Sequence, residues 1–170
     1  MKLKLVIFIL LALFFANNLK AQDEAFGVKF GIGGGLGLTT KTSPFGYGIN
    51  LNPQLQYNIS EALALNLVTG YTRLLTKDTS PIADYDFIPL KLEIKIFPII
   101  ENLYTVGLVG AGFGLIKNAK TSLIYGGGLG YQFLNGYDLG VKFERYQQNK
   151  NSINYQPKTN QLQLSFTYFF

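Results

Sequence analysis

Apolar and polar residues alternate along much of the chain, and this period of two is the pattern of a β-strand with two unlike faces. Residues 46–59 show it most clearly, because one face carries large apolar side chains and the other carries Gly, Asn and Gln. The apolar face is Tyr47, Ile49, Leu51, Leu55, Tyr57 and Ile59; the polar face is Gly48, Asn50, Asn52, Gln54, Gln56 and Asn58.

Eight segments of 12 to 14 residues carry this alternation, whereas strands of soluble sheets average about 5–6 residues. They cover 25–38, 46–59, 63–76, 86–97, 103–116, 122–134, 137–148 and 159–170. Short connections at 60–62, 98–102 and 135–136 alternate with longer ones at 39–45, 77–85, 117–121 and 149–158. The pattern predicts an all-β fold, an eight-stranded antiparallel up-and-down transmembrane β-barrel with short periplasmic turns and longer external loops.

Alternation by itself leaves open which face points inward. The many Asn and Gln residues suit a small hydrated lumen, but a soluble secreted lipid-binding barrel with its apolar face inward is an alternative. Segment 103–116 is ambiguous, because both of its faces carry Gly or apolar residues. Pro53 interrupts a predicted strand that has no free edge, and we expect a local bulge there.

The first 21 residues have the order of a secretory signal peptide. A basic start, Met1–Lys4, precedes the apolar run Leu5–Phe15, and Ala21 is the predicted last residue removed. A membrane anchor is the alternative, but 11 apolar residues fall short of the roughly 20 that a spanning helix needs. We therefore expect a signal peptide over 1–21, one domain over 22–170 and export to the cell outer membrane.

Composition narrows the possible functions. Without Lys2, Lys4 and Lys20 the chain has 12 basic and 10 acidic residues, and no basic run supports nucleic-acid binding. The absence of Cys excludes disulfides and a Cys-linked lipid anchor. The absence of His removes the usual general base, and no cofactor or metal motif is present, so we expect a protein that is not an enzyme.

The run Gly31–Gly37 has two interpretations. A phosphate-binding loop would need a helix after it, and the pattern predicts none. Glycines that line a crowded lumen or let a strand bend are the favoured interpretation.

Six charged residues fall on the polar faces of predicted strands, and we expect them to form a lumen charge network. An eight-stranded barrel encloses only enough space for side chains, and buried charges there must pair. A selectivity element of a small pore is the alternative. The six are Lys29, Lys91, Glu93, Lys95, Lys142 and Glu144.

Five cations are predicted at the external rim, where they could bind the phosphates of lipopolysaccharide. The opposite end carries acidic residues, namely Asp23, Glu24, Glu61, Glu101 and Asp138. Ordinary solvated loop charges are the alternative. The rim cations are Arg73, Lys77, Lys117, Arg145 and Lys158.

The last segment resembles the C-terminal assembly signal of outer-membrane proteins through Leu162, Leu164, Phe166, Tyr168 and the terminal Phe170. With its eight segments, the chain resembles the porin-family barrels that include OmpX and the OmpA membrane domain. The resemblance implies insertion by the barrel-assembly machinery, contact with outer-membrane lipid, and a monomer or a subunit of an envelope complex. The expected role is structural, surface-interacting or adhesive through external loops, especially 77–85 and 149–158; a small passive porin is the alternative.

Overall fold

The computed structural model describes residues 27–78, 80, 83–98, 102–115, 121–148 and 158–170. The predicted signal peptide over 1–21 and the predicted rim residue Lys117 lie outside these ranges. Within them, no helix has the length and apolar character needed to cross a membrane. The strands are β1 (Gly27–Thr39), β2 (Phe45–Ser60), β3 (Leu63–Thr69), β4 (Tyr71–Thr76), β5 (Tyr85–Ile96), β6 (Leu103–Gly114), β7 (Ser122–Gln132), β8 (Tyr137–Gln148) and β9 (Thr159–Phe169).

The strands close into a barrel in which every pairing is antiparallel. Successive strands pair along the chain, except that β3 and β4 each pair with β2 and β5, and β1 pairs with β9 to close the barrel. Because β3 and β4 are two halves of one barrel strand, separated at Gly70, the wall has eight strands. The predicted fold class is confirmed, and the predicted segments agree with the observed strands to within two residues.

The apolar face of the sheet points outward. In β9, Leu162 and Leu164 expose 54% and 60% of their surface, whereas the side chains of Gln161 and Gln163 are buried inside the barrel. A membrane supplies the apolar surroundings that such an outer face requires, and the closed ladder satisfies the backbone polar groups. The soluble alternative with an apolar face inward is wrong. The structure also resolves the ambiguous segment, because Val106 and Leu108 of β6 point inward.

A break at Gly70 interrupts the third barrel strand. Its backbone has a φ of 137°, a conformation that side chains disfavour. The predicted bulge at Pro53 is wrong, because from Tyr47 to Asn58 β2 keeps one register across both halves of the broken strand and no residue is inserted. The irregularity lies instead on the neighbouring strand.

Two prolines explain the position of this break. In a strand, the backbone N–H and C=O groups of alternate residues point to the same neighbouring strand. The nitrogen of Pro53 therefore faces Thr69, and the nitrogen of Pro89 faces Gly70. Proline has no N–H to donate. The carbonyl groups of Thr69 and Gly70 therefore lack hydrogen-bond donors from the strands on either side, and the strand divides there.

The two ends of the barrel differ. Short turns close one end, including Glu61-Ala62 and the turn before β8, where Gly136 has a φ of 87°. β1 begins and β9 ends at this end. The longer connections, between β1 and β2, β4 and β5, β6 and β7, and β8 and β9, lie at the opposite end, which is the predicted external end.

Candidate functional site: the filled lumen and the external rim

Three ion pairs cross the lumen between its middle and the end with the short turns. β5 presents its charges at alternate positions, and β8 presents opposite charges across the interior, so the strand period places partners face to face. All six side chains are at least nine-tenths buried. The pairs are Lys91–Glu144 at 2.8 Å, Lys95–Asp138 at 2.7 Å and Lys142–Glu93 at 2.6 Å.

Each carboxylate in these pairs also accepts a second hydrogen bond. Asn66 donates to Glu93 at 3.0 Å. Two tyrosine hydroxyls complete the set at 2.7 Å each, Tyr104 donating to Asp138 and Tyr146 to Glu144. Buried charges that are paired and hydrogen-bonded on both sides avoid the cost of an uncompensated ion.

The structure thus brings together five of the six predicted lumen charges. Lys29 also falls on the inward face, beside Gln56 in the register, but it is half-buried near the lower end. Among the described residues no carboxylate pairs with it.

Sequence reasoning assigned Asp138 to the periplasmic end and missed its place in the network. Asp138 lies an even number of residues from Lys142 and Glu144, so the two-residue period of the strand places all three on the inward face. This period would have identified Asp138 as part of the network. Tyr104 lay in the ambiguous segment, so its hydroxyl could not be assigned to either face.

An apolar cluster fills the external half of the lumen, and sequence reasoning did not anticipate it. Tyr85 and Phe87 share the inward parity of Lys91, so an extension of that strand by one residue would have shown them. Phe45 points inward because the register shifts between Phe45 and Tyr47, which reverses the alternation there. The cluster consists of Phe45, Leu74, Tyr85, Phe87, Leu108, Ile124 and Tyr146.

The glycine run of β1 makes room for large lumen side chains. The run lies inside a strand and no helix follows it, so the interpretation as a phosphate-binding loop is wrong. The fully buried Gln161 occupies the space that a Cβ atom would take at Gly37 or Gly48. Glycine on two strands thus allows glutamine on a third to reach across a narrow interior.

The described part of the chain therefore contains a lumen that is filled along its length by apolar, ionic and amide side chains. No group of three Asp or Glu side chains in these ranges could hold a metal ion. The charged groups face one another, so they neutralise each other and are not presented to a ligand.

At the external rim, Arg73 is already neutralised. Its guanidinium lies 2.7 Å from the carboxylate of Asp84 and 3.6 Å from that of Asp86. The amide of Thr76 also donates to Asp84 at 2.9 Å. This backbone bond, together with Arg73, holds the pKa of the Asp84 carboxyl below its usual value.

Lys77 fastens two external loops together. Its ammonium donates to the carbonyl oxygens of Ser43 at 2.6 Å, Lys41 at 3.0 Å and Thr40 at 3.4 Å. These carbonyls belong to the loop between β1 and β2, whereas Lys77 begins the loop between β4 and β5. The predicted rim cation is thus used within the protein.

Arg145 is held differently. Its Nε donates to Asn160 at 2.6 Å, and its guanidinium lies 5.8 Å from the centre of the Tyr125 ring. In the described ranges no carboxylate pairs with it. Lys158, just before β9, is exposed.

The predicted assembly signal forms the outer face of β9. Its five side chains are exposed on the wall by 37% to 60%. Phe170 donates its backbone N–H to Phe30 of β1 at 2.8 Å, and the two rings stack at 6.0 Å. The chain end is therefore fastened at the seam where the barrel closes.

Comparison with known families agrees with this geometry. The model of the outer membrane protein beta-barrel domain matches residues 6–170. The chain belongs to this family. Curated protein sequences gave no match.

Solved structures of outer-membrane barrels share the fold of this family member. The crystal structure of Ail, the attachment invasion locus protein of Yersinia pestis, is 18% identical with a TM-score of 0.58, over 86% of this chain and 99% of Ail. The N-terminal barrel domain of Pseudomonas aeruginosa OprF is 12% identical with a TM-score of 0.55, over 84% and 97% of the two chains. Neisserial surface protein A is 14% identical with a TM-score of 0.51, over 87% and 100%. At these identities the likeness concerns the fold.

Proposed function

We propose that the protein is a non-enzymatic outer-membrane barrel whose external loops make contacts at the cell surface. The filled lumen carries this proposal: ion pairs and an apolar cluster occupy the interior, so ligands meet the loops and the outer wall instead. Function placed on loops above a rigid scaffold is common.

The same observation argues against the alternative of a small passive porin. The full-length chain in planar bilayers should give no single-channel steps, since the charges of the lumen are paired and its external half is apolar. Reproducible steps of constant size would contradict the proposal and favour the porin.

The charge of the loops indicates the chemistry of a partner. The predicted loops 39–45, 77–85, 117–121 and 149–158 contain six Lys and only two Asp. A surface with this excess attracts anionic polymers at moderate salt. The Ail barrel has been crystallised with the heparin analogue sucrose octasulfate, which makes a sulfated glycan a reasonable first probe.

Binding of the full-length protein to immobilised heparin tests this contact role. Replacing Lys41, Lys120 and Lys150 by Gln should lower the salt concentration needed for elution, because three loop charges are removed. Lys29→Gln, at the opposite end of the barrel, is the matched control and should elute as the unaltered protein does. Equal elution of all three proteins would contradict a loop-based anionic contact.

We also propose that the outer wall contacts lipopolysaccharide phosphates at its external edge. Arg145 and Lys158 fit this role better than Arg73 and Lys77, whose charged groups already have partners in the protein. Lys117 belongs to the same proposal from its sequence position. Arg145→Glu should reduce lipopolysaccharide co-purification more than Arg73→Glu, and an equal effect would contradict this ranking.

Biogenesis completes the proposal. A signal peptide over 1–21 would be removed near Ala21, and the barrel-assembly machinery would read the run from Leu162 to Phe170. N-terminal sequencing of the purified protein tests the cleavage site, with Gln22 as the expected first residue.

A further inference from the structure

A groove of about 470 Å³ opens on the lipid-facing wall where β8, β9, β1 and β2 lie side by side. Gly37 and Gly48 contribute backbone to its floor, and a side chain at either position would point into the lumen. Its walls are apolar: Leu36, Leu38, Tyr47, Val141, Leu162 and Leu164.

The registers place these side chains in level rows. Leu36 lies beside Leu164, and Leu38 lies beside both Leu162 and Tyr47. Leu36 and Leu38 expose 66% and 70% of their surface, whereas Leu92 on another part of the wall exposes 43%. Neighbouring side chains of the protein therefore cover this part of the wall less than they cover β5.

The cation Arg145 lies next to the external end of the groove. Arg145, two residues after Phe143 in β8, pairs with Asn160, two residues before Leu162 in β9, so this pair lies about 7 Å nearer the external end. The bond from Nε to Asn160 and the Tyr125 ring hold the guanidinium in place, and no described residue accepts a hydrogen bond from its remaining N–H groups. An apolar groove that ends at a held guanidinium matches an amphiphile with an anionic head.

We propose that this groove binds an acyl chain of a phosphorylated lipid of the outer leaflet, with the lipid phosphate on Arg145. The inference rests on the lipopolysaccharide contact proposed above and locates its acyl portion. A second copy of the chain fits less well, because a two-fold interface on this face would bring two Arg145 guanidinium groups to the same level. Charge complementarity therefore selects the lipid.

The chain contains no Trp, so single reporters can be introduced. Ile49→Trp lies beside Leu36 at the edge of the groove, and Val109→Trp on β6 is its control on the opposite wall. The full-length variants are placed in phosphatidylcholine vesicles that contain a little lipid A with a spin-labelled acyl chain. Quenching should be stronger at the I49W reporter, whereas spin-labelled phosphatidylcholine should quench both reporters alike.

Arg145→Gln in the I49W background tests the phosphate contact. The lipid A concentration for half-maximal quenching should rise about tenfold, the size expected for losing one charge-assisted hydrogen bond. Arg145→Lys keeps the charge and should recover part of this loss, and Lys41→Gln should change nothing. Heat-modifiable gel migration verifies that each variant is folded.

Two results would overturn the proposal. One is equal quenching of both reporters by labelled lipid A, or an unchanged response in R145Q. The other is a doubling of the mass of the protein in detergent that Ile49→Trp, at the edge of the groove, abolishes, which would assign the groove to a second copy. Neither result would affect the loop-contact function, because the variants made to test the groove, I49W and R145Q, leave all four loops unaltered.

Discussion

At the scale of single residues, the lumen is stable because every buried carboxylate of the network meets a lysine and another donor. Glu93 illustrates this, since Lys142 and Asn66 bind its two oxygens and leave it fully buried. Removing one partner leaves the other charge without compensation, which costs more than the pair contributes.

Lys142→Ala should therefore lower the free energy of unfolding by about 3–5 kcal/mol. The measurement is urea-induced unfolding in lipid vesicles, followed by gel migration. Lys41→Ala, in an exposed loop, is the control and should stay within about 0.5 kcal/mol of the unaltered protein. The double variant Glu93→Met with Lys142→Leu should recover most of the loss, because it removes both charges; a K142A variant as stable as K41A would contradict the account.

The hydrogen bonds of the Asp84 carboxylate predict a pH-dependent change in local stability. The pKa of its carboxyl is lowered in the folded protein by the Thr76 amide and Arg73, so its contribution to stability is present at neutral pH. That contribution is lost as the pH falls from the unfolded pKa through the lower folded pKa. Hydrogen exchange at the Thr76 amide should accelerate over this acidic range beyond its intrinsic pH dependence.

Asp84→Asn provides the control for this effect, since an amide does not titrate. In that variant the exchange of the Thr76 amide should be faster at neutral pH and should show no additional acidic change. An equal pH profile in both proteins would exclude Asp84 as the titrating group.

At the scale of elements, the third barrel strand is the irregular part of the wall. Gly70 adopts a φ of 137°, and a Cβ atom there would collide with the carbonyl oxygen of Leu51. Two prolines withhold donors from the same point, so the position depends on glycine to keep the two halves in one register.

Gly70→Ala should destabilise the barrel by about 1–3 kcal/mol, because it adds backbone strain and a clash. Gly107→Ala is the matched control, since it lies in β6 and a Cβ atom there would have no neighbour within 4 Å. Urea unfolding of the two variants in the same vesicles makes the comparison. Equal stability of the two would show that the conformation at Gly70 is not required.

Periodicity predicted the regular strands well because a two-residue repeat reports directly which face is apolar. The bounds of β8 were predicted to the residue. Periodicity could not predict the break at Gly70, since the alternation continues across it without a shift. It also could not place Phe45 inward, because a register shift reverses the parity there.

The rim was less predictable than the lumen for a physical reason. Parity places Arg73 and Arg145 on the outer face alike, but whether a cation is free depends on loops whose geometry has no period. Asp84 reaches Arg73 from the loop before β5, and Lys77 folds onto three carbonyls of another loop. Only coordinates show that Arg145 is the one of the two arginines without a carboxylate partner in the described residues.

At the scale of the whole molecule, one arrangement accounts for both the membrane and the closed interior. The outer face carries large apolar side chains on its strands, and the interior holds an apolar cluster, three ion pairs and buried amide side chains. We therefore propose that other molecules bind at the external loops and at the lipid-facing surface.

Photolabelling tests this arrangement most directly and needs no substitution. The full-length protein is placed in vesicles that contain a phospholipid with a photoreactive group on its acyl chain, and the labelled residues of β9 are mapped by mass spectrometry. The account predicts label at Leu162, Leu164 and Phe166 and none at Gln163 or Ser165. Label at Gln163 and Ser165, with the leucines protected, would contradict it.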